Sequence, residues 1–441
     1  MNPGVSFDPI GTAFFLRFGY VAEEYPLIKP VNSELKKTGT DYHAKRWNEL
    51  QEKGKVLKTA SGKGSIAEPT AEIDRIIRQE LEAVFNHSEP GTFLSGGIDS
   101  PLIAAIAQSM TGKRLKAFTF TSDDPDIDES ASASEFARAI GLDHHLVRVD
   151  ESQLVDTILK IIQDFVMPPG DYSVIPTYLV CKAAREYSDT ILSGDGGDEL
   201  FWGYATRMAR VIKLSPLFRF PKWYRKIRWW LLHRTYEWNA RYFDTVGEWY
   251  RSGHEHNFES WLKELFPGLP PLPSSYRQYR FNGTDPDQTA YWVRWNEFSG
   301  HMKASYDKVL TASHAAGIEV VSPMLSQGMI DLASELDWRP CLDLENLTGK
   351  LPLRQLLGKY CRFQSGSKQG FGSPMGRWLV GPLRELFEES VLRRESLGGL
   401  ELNTAGMRAV FENQIKGKED RSWGLWIFLS LALWEDAHKS W

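Results

Sequence analysis

The chain has 441 residues, 42% of them hydrophobic and 25% charged, with a net charge of −5, enough for two globular domains or one large one with an extension. It has no long block of like charge, so the charge balance names no partner. Cys181, Cys341 and Cys361 are too scattered for a metal site or a disulfide framework, no apolar run reaches the roughly 18 residues of a membrane span, and the opening MNPGVSFDPIG lacks a secretory leader's basic start and apolar core; the expected location is cytoplasmic.

In chain order, TAFFLRFGYV (Thr12–Val21) reads as a strand-like piece, followed by a polar stretch rich in Lys, Gly and Ser up to Ser65. Apolar residues three and four apart from Ile73 to Phe85 predict an amphipathic helix. Alternation then begins: a strand at Thr92–Leu94, a helix at Pro101–Met110, a strand at Leu115–Thr121, a helix at Asp128–Ile140 opened by Asp128 and Glu129, and a strand at His144–Val149. Helices at Glu151–Phe165 and Ser173–Tyr187 and a strand at Thr190–Leu192 complete the run. The pattern predicts an α/β fold, a doubly wound parallel sheet whose ligands sit beyond the carboxyl ends of its strands. After Tyr204 helical patterns dominate, and LWIFLSLALW (Leu425–Trp434) reads as a buried helix. Fourteen of the sixteen tryptophans lie beyond residue 220, which suggests a second region with an aromatic core. The expected division is an N-terminal extension over 1–70, an α/β core over 71–205 and a helical part over 206–441.

Two turns carry the chemistry. SGGIDS (Ser95–Ser100) links a strand to a helix, where glycines let the backbone approach a phosphate, serines donate hydrogen bonds and Asp99 can hold a counter-cation. It is neither GxxxxGKS nor GxGxxG. SGDGGDE (Ser193–Glu199) crowds Asp195, Asp198 and Glu199, whose mutual repulsion calls for a shared cation or proton. Alone, the first could be a tight turn without a ligand and the second a solvated acidic loop. Their shared position on one sheet edge favours a magnesium ion between Asp99 and Asp198, with the ATP triphosphate between the loops.

SGGIDS followed by LSGDGGDELFWGY resembles the synthetase domain of the asparagine synthetases and of their relatives, the β-lactam synthetases and lasso-peptide cyclases. DYSVIPTYL (Asp171–Leu179), SKQGFGSPMGRWL (Ser367–Leu379) and LWIFLSLALWEDA (Leu425–Ala437) resemble further family blocks in the same order. The resemblance implies an ATP-pyrophosphatase fold of the adenine nucleotide α-hydrolase type, which activates a carboxylate as its acyl-adenylate, with ATP and Mg2+ as cofactors. It implies that Leu94, Phe120, Ser193 and Gly194 enclose adenine and ribose, that Ser95, Gly96, Gly97, Asp99 and Ser100 form the pyrophosphate loop, and that Asp99 and Asp198 bind magnesium. Lys368 matches the lysine that steadies charge on the α-phosphate and the reacting carboxyl. Lys308 and Glu319 fall on the family's pyrophosphate-binding lysine and its glutamate if KVLTASHAAGIEVVSPML is aligned without a gap, and Asp195 matches a position that manages the nucleophile's proton.

Three departures qualify the match. Asn2 stands where full-length asparagine synthetases carry their glutamine-hydrolysing cysteine, and Phe15–Gly39 resembles only the last part of their glutaminase domain, so residues 1–70 read as a remnant of that domain or as an extension, and free ammonia, a separate glutaminase or a substrate amine is expected as nucleophile. Leu310, Thr311, Val321, Met324 and Ser326 replace family charges or neighbours of charges near the carboxylate cleft, which opens the choice of carboxylate, although lost structural ion pairs explain them as well. Arg210–Arg234 holds eight Lys/Arg, no acid and interleaved aromatics. Its plainer reading is a helix with Trp and Leu facing the core and a solvated basic face; a membrane or carrier contact is the sharper one, and nucleic acid is not an expected partner. His144, His145, His254 and His256 lack further ligands at metal spacing. The expected activity is an ATP-dependent amide-forming ligase, with amidation of a sugar acid or tailoring of a peptide as the alternative substrates and a catalytically silent scaffold as the alternative role.

Overall fold

In the computed structural model, residues 6–22, 24–29, 40–60, 62, 68–124, 128–165, 167–232, 241–274, 276, 279–362 and 373–438 are described. A five-stranded parallel sheet lies at the centre. Its strands are β1 (Gly91–Phe93), β2 (Lys116–Thr121), β3 (Asp143–Arg148), β4 (Thr190–Leu192) and β5 (Glu319–Val321). The spatial order is β3-β2-β1-β4-β5, with Thr92 opposite Ala117 on one side and Leu192 on the other. Helices α1 (Pro69–Phe85), α2 (Asp99–Met110), α3 (Ser130–Ile140), α4 (Leu154–Asp164) and α5 (Val174–Arg185) precede or connect these strands. The chain winds outward from β1 to β3 and then returns to place β4 on the other side of β1. The strand order therefore reverses between β1 and β4, and a crevice must open there at the carboxyl ends.

The fifth strand comes from beyond residue 205, where helical patterns dominate the sequence. Glu319–Val321 pairs with Thr190–Leu192 in register, so the sheet draws one strand from the region read as mostly helical. Three residues flanked by helical patterns give too short an apolar run to be told from a helix end. One apolar core likewise joins Leu102 and Ile106 to Met208, Met324 and Leu353.

Thr12–Val21 is a second correction. Most of it belongs to a helix, Pro9–Phe18, started by Asp8, whose carboxylate accepts from the N–H groups of Ile10 (2.9 Å) and Gly11 (3.1 Å), and ended by Gly19 at φ 72°. All residues from Gly11 to Phe18 are buried, so no polar face remains to reveal the helical period. Asp8→Ala is expected to lower stability by about 1 kcal/mol through loss of the cap, read as the urea midpoint at constant m.

Beyond the sheet, helices α6 (Lys222–Leu232), α7 (Met302–Ala316) and α8 (Ser422–Ala437) matter most. α7 packs along α5. α8 is the expected buried helix: Leu425 to Trp434 are all buried, and backbone carbonyls satisfy the indole N–H groups of Trp426 (Pro169, 2.9 Å) and Trp434 (Phe165, 2.8 Å). Its core includes Ile158, Ile161 and Ile162 of α4, so the tryptophan-rich region shares its interior with the α/β part. No described helix is long and apolar enough to cross a membrane.

Candidate active site

β1 ends at Phe93, and the chain turns through Ser95–Ile98 into α2, whose first residue is Asp99. Ser100 Oγ accepts from the Ser95 N–H (2.9 Å) and shares a 2.9 Å hydrogen bond with Ser95 Oγ, while the Gly97 N–H points to Ser95 Oγ (3.3 Å). These contacts curl the loop over the positive end of α2. Glu129, just before α3, accepts from the Gly96 N–H (3.1 Å) and steadies the loop from outside. The second turn leaves β4, the strand beside β1, and is folded on itself by Ser193 Oγ donating to Asp195 (2.7 Å).

The two turns touch. A Cβ placed on Gly194 would lie 2.6 Å from the Ser100 nitrogen and 2.7 Å from the Asp99 carbonyl carbon, and one on Gly197 would collide with the Asp99 carboxylate. Gly196, at φ +102°, turns the loop in a conformation that suits glycine. Absent side chains at 194 and 197 are thus what let loops about ninety-five residues apart share one wall.

Lys350 occupies the point where they meet. Its ammonium bonds to Asp99 and lies 2.7 Å from Asp198. Burial alone works against the charge, but Asp198 and Asp99 outweigh it and raise the lysine pKa well above its ordinary value. The lysine is held from behind: its N–H donates to Phe201 O (2.9 Å), its backbone is left-handed at φ 57°, and Gly349 lies so close to the Trp202 carbonyl that a side chain there would collide. Trp202, directly after the acidic turn, is also left-handed at φ 51°. Two of the three described non-glycine residues with positive φ therefore flank the site, the usual mark of a constellation its surroundings force into place.

The loops and Lys350 border a cavity of about 390 Å³. Phe93, Leu94, Phe118, Val180 and Val309 give it an apolar end; Ser95, Gly97, Asp99, Ser100, Ser193, Gly194, Asp195 and Asp198 line the polar middle. α7 contributes Ser305 and Lys308 from its first turns, and His301, immediately before it, is spaced to share their face. Lys308 donates to Ser173 Oγ (3.0 Å) and lies 3.4 Å from Asp171. Burial pushes the Asp195 carboxyl above its usual range, with Lys308 opposing. Burial and then the neighbouring Asp198 raise Glu199 to about 8, and Tyr204 donates to it at 2.8 Å.

Most of the residues singled out in the sequence come together here. Gly96 belongs to the serine-glycine loop with its N–H turned to Glu129. Phe120 does not border the cavity; it is buried in the cluster behind, and Phe118, one pleat earlier on the same strand face, takes the wall. Glu319 is not in the site. It begins β5, at the amino end of the sheet, with its side chain 62% exposed and 4.0 Å from Arg46. Lys368 lies outside the described residues. Lys350, Glu129, His301 and Arg354 were missed. The Gly-Lys pair that opens the helix Leu351–Tyr360 was the only signal for Lys350, and nothing local ties it to Asp99, 251 residues away.

A family model described as asparagine synthase matches residues 81–436. The chain belongs to that family. It is 25% identical over 393 residues to glutamine-hydrolyzing asparagine synthetase 1 of Bacillus subtilis, covering 82% of this chain and 60% of that protein. It is 28% identical over 375 residues to a protein of Mycobacterium tuberculosis named putative asparagine synthetase (glutamine-hydrolyzing), covering 78% and 54%. A shorter match, 29% over 127 residues and 25% of this chain, is to amidase chyE of Penicillium rubens. The chain thus spans little more than half the length of the first two. Among the positions where it departs from the asparagine synthase pattern, Leu310 and Met324 are buried in the apolar core, Ser326 caps the next helix by accepting from the Met329 N–H (3.3 Å), and none of Leu310, Thr311, Val321, Met324 and Ser326 borders the cavity.

Proposed function

We propose that this asparagine synthase family member is an ATP-dependent amide-forming ligase acting on a small-molecule or peptide carboxylate, with ammonia or an amine as second substrate. The observation that carries the reading is the convergence of Asp99 and Asp198 on one buried cationic point beside the serine-glycine loop. Two carboxylates facing an anion-binding helix terminus suit a nucleotide that arrives with a hard divalent ion, because Mg2+ takes one or two protein carboxylates and completes its shell with phosphate and water. Asp99 and Asp198 would hold that ion, whose charge offsets the charge growing on the departing pyrophosphate.

The chain's own groups supply the rest. The apolar end accepts the flat adenine ring, and the N–H groups and hydroxyls of Ser95–Ser100 receive the phosphates. A carboxylate oxygen of the acid attacks the α-phosphorus, the bond to the bridging oxygen of the β-phosphate breaks, and pyrophosphate leaves against that loop. Lys350, already charged and fixed, lowers the barrier by meeting charge that increases in the transition state. The amine then attacks the acyl carbon and AMP departs with the bonding electrons. Asp195, made more basic by burial, takes the proton the amine sheds. Ser305 of α7 and His301 just before it border the space left for the carboxylate and amine, and Lys308 would meet the departing pyrophosphate.

The test is product analysis with a panel of carboxylic acids, with and without ammonia. AMP and pyrophosphate should form only with a competent acid, and labelled pyrophosphate should exchange into ATP without any amine. Asp198→Asn should reduce that exchange by about 10²-fold or more. Formation of ADP and phosphate, or exchange indifferent to Asp198, would overturn the reading.

A further inference from the structure

α6 is built inside out. A surface helix ordinarily turns its apolar stripe to the core and its charges to water, and the composition of Arg210–Arg234 predicts that arrangement. The structure reverses it. Trp223 is 64% exposed, Ile227 51%, Trp230 65% and Leu231 62%. Their spacing of i, i+4, i+7 and i+8 puts all four on one outward face. The inward side carries Arg225, which is buried, lies with its guanidinium 4.2 Å from the centre of the Phe218 ring and donates to Phe243 O (2.9 Å). Lys222, next to it, pairs with Asp244 at 2.7 Å. With 3.6 residues per turn, Lys226 and Arg228 fall on the two margins of the outward stripe. Phe220 and Tyr224 extend the exposed apolar surface at the start of the helix.

An exposed apolar stripe of this kind marks an interaction surface, and its surroundings select the partner. From Arg210 to Arg234 there are eight Lys/Arg and no Asp or Glu; Lys213 pairs with Glu345, Lys222 with Asp244 and Arg225 is buried, so the basic charge beside the emerging tryptophans is that of Lys226 and Arg228. A second copy meeting this face symmetrically would set cation against cation. A nucleic acid would offer phosphate to the lysines but leave Ile227 and Leu231 without an apolar counterpart. A bilayer surface with anionic headgroups satisfies both, since indoles favour the headgroup level, aliphatic side chains enter the acyl boundary, and Lys/Arg on the margins meet the phosphates. Eleven residues cannot span a bilayer, but they can lie in its interface.

We propose that α6 docks this protein on an anionic lipid surface through Trp223, Ile227, Trp230 and Leu231. The inference rests on neither the nucleotide site nor the proposed reaction. The full chain should co-sediment with vesicles of phosphatidylcholine containing about one-quarter phosphatidylglycerol and not with phosphatidylcholine alone, and added salt should weaken the binding. Trp223→Ser with Trp230→Ser should lower the vesicle partition coefficient by about tenfold or more, and Lys226→Glu alone by about tenfold. All three positions face outward, so the thermal midpoint should not change; if the double variant melts early, Lys226→Glu decides. Failure to bind anionic vesicles would overturn the proposal, as would equal binding to neutral ones or binding unchanged in the variants. A concentration-dependent dimer in sedimentation velocity that the double variant dissolves, without vesicle binding, would assign the face to a second copy instead.

Discussion

Lys350→Met is expected to slow ATP–pyrophosphate exchange by about 10²- to 10³-fold, the loss that follows removal of one fixed charge from a preorganised site. Methionine has nearly the length of lysine and leaves the left-handed backbone undisturbed, so the change removes charge and little else. In the native chain the buried ammonium bonds to Asp99 and lies 2.7 Å from Asp198. Without it the two neighbouring carboxylates lose the buried cation that offsets their repulsion, and stability should fall by on the order of 3 kcal/mol. The same loss makes the pair hungrier for another cation. Added Mg2+ should therefore raise the thermal midpoint of Lys350→Met more than that of the native protein. Exchange within about twofold of native would show that the lysine is structural only.

Gly194→Ala is the second substitution with a large expected effect. The new methyl would sit 2.6 Å from the Ser100 nitrogen and 2.7 Å from the Asp99 carbonyl carbon, backbone atoms that cannot swing aside as a long side chain does. The loops must part by roughly 1 Å, which for groups that must meet a reacting phosphate costs about 10²-fold in kcat. The accompanying loss of stability should be about 1–3 kcal/mol, the usual cost of overpacking. Gly112→Ala provides the control. Nothing lies within 4 Å of its Cβ direction, and kcat and unfolding midpoint should both stay near native. Activity retained by Gly194→Ala would mean that the loops need not touch for turnover.

The difference between what could and could not be read from the sequence follows from which forces act locally. β1, β2 and β4 are short runs, largely buried, that end in small or polar residues, β3 (DHHLVR) is a half-exposed strand at the sheet edge, and each of the four lies where the pattern placed it within two residues. The two acidic glycine turns were legible because a phosphate loop needs particular residues in consecutive positions, and the strand order then brought them together. Pro9–Phe18 was misread because burial on every side erases the period that marks a helix. β5 was missed because its three residues gain their strand character only from the exposed edge of β4. Lys350 was missed for a related reason: its role is fixed by contacts with Phe201 and Trp202, not by its neighbours in sequence. Glu319 shows the opposite failure, a residue placed by pattern alone that lies at the far end of the strand from the crevice. α6 inverted expectation because composition gives the two faces of a helix but not which one the rest of the molecule will cover.

The late arrival of β5 has a consequence for dissecting the molecule. β4 would be an edge strand if the chain were severed after residue 205, with its outer amide and carbonyl row open to any passing strand. The acidic pocket would also lose the only amine that reconciles Asp99 with Asp198 among the described residues. Nicking the polypeptide there should therefore yield sticky, inactive halves, and the amino-terminal piece should regain solubility only when the remainder is supplied in trans.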